Sequence, residues 1–176
     1  PILAIFTSSA DEMQVAGDQW FTAVSIDPGP FIMQIADEIG EKYRVIVRMH
    51  PNQAGDRTGA AGEFQRLLRR HARIELIPPN GIQSTYELID KASVVLGFGS
   101  TVGLETTYWG KPSVLCGRAV WDQLDIAYRA ESVDDVKSLL ANDLSPKSQS
   151  DAIAAGSYYM RGRGVEGALS WEPKGI

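Results

Sequence analysis

The segment Gly97-Phe98-Gly99-Ser100-Thr101-Val102-Gly103-Leu104-Glu105 runs from an apolar stretch, through small residues, into an amphipathic one. Small side chains let a ligand approach the backbone. The unpaired amide hydrogens of a first helical turn, the positive end of the helix dipole and the hydroxyls of Ser100 and Thr101 make an anion site, with phosphate the natural guest. Glu105, one turn further on, can accept hydrogen bonds from the hydroxyls of a sugar on the same ligand. The bland reading of the same residues is an ordinary N-cap at Ser100 and a tight turn at Gly99. Gly97, Gly99 and Gly103 are spaced one residue too wide for the dinucleotide fingerprint, and no Gly-Lys-Ser/Thr follows, which excludes a P-loop.

A second candidate lies at the end of another apolar run, in Arg48-Met49-His50-Pro51. Strand alternation sends Arg48 and His50 to one side, and Pro51 stiffens the exit. A guanidinium there would bind a phosphate, and an imidazole could donate to a phosphate oxygen as a nucleotide departs. A lone histidine is as often structural. Thr7-Ser8-Ser9-Ala10-Asp11-Glu12 closes the first run: Ser8 and Ser9 are candidate donors to ligand and Asp11 or Glu12 a candidate base, against a plain capping role for Ser9 or Asp11. His71, in Arg69-Arg70-His71, reads as part of a cationic helix end. Trp20, Trp109 and Trp121 read as packing residues, although one near the site could lie against a base. Two histidines and one cysteine far apart give no metal site.

These residues need a frame. Apolar runs at Ile2–Thr7, Tyr43–Arg48, Ile74–Ile77, Val94–Phe98 and Pro112–Cys116 alternate with helical patterns at Phe31–Glu41, Glu63–His71, Thr85–Lys91 and Thr101–Trp109. That rhythm predicts a Rossmann-like α/β fold: an open, mostly parallel sheet with helices on both faces, in the doubly wound order 3-2-1-4-5. Continuous β-branched runs such as Val45-Ile46-Val47 suit strands buried on both sides. Ser84-Thr85-Tyr86-Glu87 predicts a capping box, and Ser132 a helix over Val133–Leu140 with Asp134 and Asp135 in its first turn. The glycine-dotted stretch Asn52–Gly62 reads as the longest flexible loop. Residues 1–145 read as one nucleotide-sugar-binding domain. Residues 146–176 read as a helix from Asp151 to about Met160 and a loose tail, packing on that domain or on a missing N-terminal half.

The 176 residues are 44% apolar, enough for one substantial core, and 17 basic against 22 acidic side chains give a net charge of −5. No global basic field exists to hold nucleic acid or anionic lipid, so an anion must be bound locally. The single cysteine, Cys116, suits a reducing compartment. No apolar run reaches the roughly 18 residues of a membrane span, and no leader pattern opens the chain. The expected location is the cytoplasm, peripheral to the inner membrane at most. The chain opens without Met, directly in a strand pattern, as a piece cut from a longer protein would.

The pieces "TSSADE", "VRMHP", "STYELIDKASVVLGFGSTVGLE" and "YWGKPSVLCG", in that order, resemble the carboxyl-terminal, donor-binding half of a two-domain GT-B glycosyltransferase of the bacterial capsular and surface polysaccharide type. The resemblance spans Ile2 to Tyr128. It implies that His50-Pro51 is the histidine-proline motif whose imidazole meets the donor phosphate. It makes Ser100 and Thr101 the hydroxyl pair at the phosphate-binding helix and Glu105 the acid at the nucleotide's sugar ring, with Arg48 an added phosphate cation. It implies a nucleotide-activated sugar as substrate, a glycan or lipid-linked acceptor, no metal or other cofactor, and an N-terminal acceptor half that these residues do not supply. Enzymes of this kind that use cytidine-monophosphate sugars share the histidine-proline element. Two rivals stand beside that reading: a teichoic-acid-like glycerophosphate transferase, and a non-catalytic nucleotide- or glycan-binding domain.

Overall fold

A computed structural model describes residues 1–9 and 27–161. The strands are β1 (Ile2–Phe6), β2 (Arg44–Arg48), β3 (Ile74–Ile77), β4 (Val94–Gly97), β5 (Ser113–Leu115) and β6 (Tyr128–Arg129). The helices are α1 (Pro28–Ile39), α2 (Ala60–Arg69), α3 (Thr85–Lys91), α4 (Val102–Tyr108), α5 (Val133–Ala141) and α6 (Gln149–Arg161). All strand pairs are parallel, in the order β3-β2-β1-β4-β5-β6, so the predicted order is the observed one with a strand added at one edge. The direction of winding reverses between β1 and β4, the kind of position where doubly wound sheets take ligands in the crevice outside their strand ends.

Pleating sorts the strand residues onto two faces. Leu3, Ile5, Val45, Val47, Val94 and Leu96 pack against α1, α2 and α5 through Ile32, Ile35, Leu68 and Val136. Ala4, Phe6, Ile46 and Val95 pack against α3 through Leu88 and Ile89, and against Val102 of α4. A smaller cluster under Leu115 and Trp121 takes in Ala155, and α6 lies against α4 there, Leu104 touching the cluster.

The connections are shaped by individual side chains. Pro28 starts α1 earlier than its apolar pattern shows, because a proline in the first turn forfeits no helical hydrogen bond. The Ser84 hydroxyl accepts from the Glu87 amide, as predicted, but the Glu87 carboxylate does not reach back. It turns along the helix to Lys91 at 2.6 Å, a favourable i,i+4 pair. The reciprocal box forms instead at Ser132 and Asp135: the Ser132 hydroxyl accepts from the Asp135 amide at 3.1 Å, and the Asp135 carboxylate accepts from the Ser132 amide at 2.9 Å.

The stretch expected to be a long flexible loop is built. Pro51–Gly55 forms a 3-10 turn. Asp56 then accepts from the Thr58 amide at 2.9 Å, the Thr58 hydroxyl at 2.7 Å and the Ala61 amide at 2.8 Å. That carboxylate caps α2 and brings its start forward to Ala60. The bonds, the one from Ala61 above all, hold the Asp56 carboxyl below the usual carboxylate range.

Candidate functional site

The carboxyl ends of β2, β1 and β4 stand side by side, and the turn after β1 ties its neighbours together. The Thr7 amide donates to the Arg48 carbonyl at 3.1 Å, and the His50 amide donates to the Thr7 hydroxyl oxygen at 3.1 Å and to Gln53 Oε1 at 3.0 Å. On the other side the Ser8 hydroxyl donates to the Phe98 carbonyl at 3.0 Å. The His50 and Ser100 loops therefore leave strands with one strand between them, about 10 Å apart at roughly 4.8 Å per strand spacing.

Arg48 is the most telling residue. It closes β2 on the face that carries Ile46 and Phe6, the face on which Val102 of α4 also packs. It is 8% exposed, and among the described residues its buried Nε and Nη1 have no hydrogen-bond partner. Burial lowers its pKa from the ordinary guanidinium value, the direction expected when a charge loses water without gaining a counter-ion. Ser9, at the end of the turn after β1, is also buried with an unpartnered hydroxyl among the described residues. Unpaired buried donors are rare because each costs about 1–3 kcal/mol, and Arg48 and Ser9 carry three such atoms near the strand ends among the described residues.

His50 caps the 3-10 turn: its Nδ1 accepts from the Asn52 amide at 3.2 Å. In the neutral imidazole that leaves the proton on Nε2, making Nε2 a donor, as a phosphate partner would need. Gly99 has φ +102°, a left-handed conformation that favours glycine, and so turns β4 into the Ser100 loop. The helix begins at Val102, two residues after Ser100, whose hydroxyl accepts from the Val102 amide at 3.3 Å. The Thr101 hydroxyl donates to Glu105 at 2.9 Å.

Several expected donors are thus already engaged within the protein. The single hydrogens of Ser8 and Thr101 point to Phe98 and Glu105, so each could meet a ligand only as an acceptor or after rotating. Arg48, Ser9 and the Gly99–Thr101 loop border the crevice, with the His50 loop across β1. Asp11, Glu12 and Trp20 lie outside the described residues. His71 follows α2, and its Nε2 stands 3.2 Å from Asp37 Oδ1. Trp121 is buried against Gly103 in the first turn of α4, while Trp109 is half-exposed and stacked on Tyr86 with ring centres 5.9 Å apart. Among the described residues no group of acidic, histidine or cysteine side chains could hold a metal.

Two features escape the sequence reading. The Tyr86 phenol lies close enough to Glu105 that the negative charge raises its pKa, which places α3 beside the acid. Asp122 is a buried carboxylate in the loop after β5, bonded to Arg118. The i,i+4 spacing of Arg118 and Asp122 was the available signal.

The architecture is an open, wholly parallel Rossmann-like sheet covered on both faces among the described residues, a fold like that of one half of GT-B structures. No family model and no curated protein sequence matches the chain. Among solved structures it is similar to the Thermosulfurimonas dismutans KpsC beta Kdo 2,7 transferase, with TM-score 0.55, 13% identity, and 87% of this chain and 43% of that one covered. It is similar to the Methanocaldococcus jannaschii UDP-GlcNAc 2-epimerase in complex with UDP-GlcNAc and UDP, with TM-score 0.55, 12% identity, and 92% and 45% covered. S. aureus MnaA, in a co-structure with UDP, gives TM-score 0.53 at 14% identity, with 90% and 46% covered. The chain therefore spans less than half the length of the structures it matches. Among the described residues no helix is long and apolar enough to cross a membrane.

Proposed function

We propose that this chain is the carboxyl-terminal, donor-binding half of a glycosyltransferase that moves a sugar from a nucleotide-activated donor to a bacterial surface polysaccharide. The observation that carries the reading is the buried guanidinium of Arg48, with Nε and Nη1 unpartnered among the described residues, at the strand ends where doubly wound folds take their ligands. A donor phosphate supplies the missing negative charge and acceptor oxygens, and a guanidinium fork suits it. Solved neighbours of this fold that hold UDP or UDP-GlcNAc support a nucleotide sugar as the ligand.

In this reading Arg48 and Ser9 grip the phosphate, the Gly99–Thr101 loop turns its amides toward it, and Nε2 of His50 donates a hydrogen bond as negative charge builds on the leaving nucleotide. Glu105, held by Thr101, accepts from the donor's sugar hydroxyls. The stabilisation comes from protein donors and needs no metal. Removing one such preorganised donor commonly raises a barrier by about 2.7–4 kcal/mol. His50→Ala and Ser100→Ala in the intact enzyme each lower turnover by a hundredfold or more on that scale while remaining folded, the cap each removes costing only about 1 kcal/mol of stability; near-normal turnover of both would refute the assignment. Titration of the chain with CMP, CDP, UDP and GDP identifies the donor class. Product analysis of the intact protein separates sugar transfer from glycerophosphate transfer and from epimerisation.

A further inference from the structure

Helices α3 and α4 meet beside Glu105, the acid assigned above to the donor's sugar hydroxyls, and they meet through an aromatic pair. Thr101, Glu105 and Trp109 are spaced four apart. The Glu105 amide donates to the Thr101 carbonyl at 3.0 Å, and the Trp109 amide donates to the Glu105 carbonyl at 3.0 Å. Their side chains therefore share one face of α4. Tyr86, in the first turn of α3, stacks on Trp109 with ring centres 5.9 Å and ring planes 23° apart. The two helices are fixed to each other. Leu88 and Ile89 of α3 pack in the same cluster as Val102 of α4, and Lys111, just after α4, donates to the Ala92 carbonyl just past α3 at 3.4 Å.

The Glu105 carboxylate is held from both sides. The Thr101 hydroxyl, next to Ser100 in the chain, donates to it at 2.9 Å. The Tyr86 phenol approaches it from α3. The charge of Glu105 first, then burial, then the hydrogen bond between the two side chains raise the phenol above its ordinary pKa of 10.0, so it stays protonated as a donor. A carboxylate offers about four lone-pair sites, so two internal donors leave room for a ligand's hydroxyls. A free glutamate side chain loses rotamer freedom when a ligand immobilises it, whereas one already fixed by the protein does not lose it again. Tyr86 and Trp109 are 50% and 46% exposed, so the pair stands at the surface and not in the core.

We propose that Tyr86 is a positioning residue of the donor site: braced by Trp109, its hydroxyl holds the Glu105 carboxylate in the orientation that accepts from the ribose hydroxyls of the donor. This inference rests on the donor-binding reading and adds to it the part of the donor that α3 helps to read.

Calorimetric titration of the whole chain with UDP, CDP and GDP, each beside its 2′,3′-dideoxy counterpart, tests it, because the members of each pair differ only in the two ribose hydroxyls. For the preferred base, wild type should bind the ribonucleotide about tenfold or more tighter than the dideoxy form, as hydrogen bonds to a charged group allow. Tyr86→Phe keeps the ring against Trp109 and removes only the hydroxyl. It should lower that ratio by about threefold or more and leave the dideoxy affinity within about twofold of wild type. Glu105→Gln should lower the ratio further, and the double variant no further than Glu105→Gln alone, because a residue that acts through Glu105 then has nothing left to position. A merely structural role for Tyr86 would weaken both forms together and leave the ratio intact, which overturns the proposal. A further fall in the double variant would show Tyr86 touching the ligand itself, and overturns it too. Wild type that binds the two forms equally well overturns the proposal while leaving the Arg48 site standing. Wild type that binds none of the six overturns the donor-binding reading and this inference with it.

Discussion

A buried arginine with two unpartnered donors should be a burden to the fold that only a ligand relieves, and Arg48→Met measures that burden. Each unsatisfied buried donor costs about 1–3 kcal/mol, and the charge adds a desolvation penalty that no acidic side chain among the described residues offsets. Methionine keeps an apolar stem on the strand face that also carries Ile46, beside its register partner Phe6, and its flexible thioether fits an irregular space, so at most about 1 kcal/mol of packing is lost. The net expectation is a gain of about 1–3 kcal/mol, or a melting temperature higher by roughly 3–10 °C for a domain of this size. The second half of the test is linkage. A nucleotide at a hundred times its Kd should stabilise wild type by about 2.7 kcal/mol and leave Arg48→Met unmoved. Scanning calorimetry with and without UDP or CDP reads both effects. A variant that melts lower than wild type would show Arg48 to be a structural residue, and a variant that keeps the full ligand-induced shift would remove it from the phosphate site. Either result refutes the reasoning.

Other expectations follow from single contacts. Gly103→Ala puts a methyl group into the Trp121 ring and should lower stability by about 1–3 kcal/mol in a thermal melt, whereas Gly62→Ala, with open space around it, should leave the melting temperature unchanged or raised. Ser132→Ala removes the hydroxyl that caps α5 and should cost about 1 kcal/mol by urea unfolding. Burial pushes the Asp122 carboxyl up, but the bonds from Arg118, Gln123 and Ala119 outweigh it and hold the group below its usual value of 3.8. Its contribution to stability is therefore present above about pH 4 and lost as pH falls through the lower folded value, so wild type should lose stability there more steeply than Asp122→Asn. Cys116 is fully buried, and burial raises its thiol pKa well beyond the ordinary range, so it should react with a thiol reagent only at the rate of unfolding.

How much of this was legible depended on how local the cause was. Strands β2 and β4 declare themselves in Val45-Ile46-Val47 and Val94-Val95-Leu96, and α3 runs from Thr85 to Lys91 as its serine cap and apolar spacing predict. The order of the sheet followed from the alternation of strand and helix patterns along the chain. Strand β6, at two residues, carries no period to read, and the start of α2 depends on the reach of Asp56 to Ala61 across glycines that look like a loop. In the site, the types and strand-end positions of Arg48, Ser9, His50 and Gly99 were visible as candidates. The burial and missing partners of Arg48 were not, since they depend on how the strands pair, which sets Arg48 beside Phe6, remote in sequence. Nor was the engagement of Ser8 with Phe98, whose carbonyl lies 90 positions away.

That last bond, together with the one between Thr7 and the His50 amide, has a mechanical meaning. The two residues after β1 act as a yoke: Thr7 holds one bank of the crevice and Ser8 the other, so neither bank can swing out without dragging the central strand's exit with it. The gap is therefore set by strand spacing before any guest arrives, and closure around one would have to come from elements beyond these three strand ends.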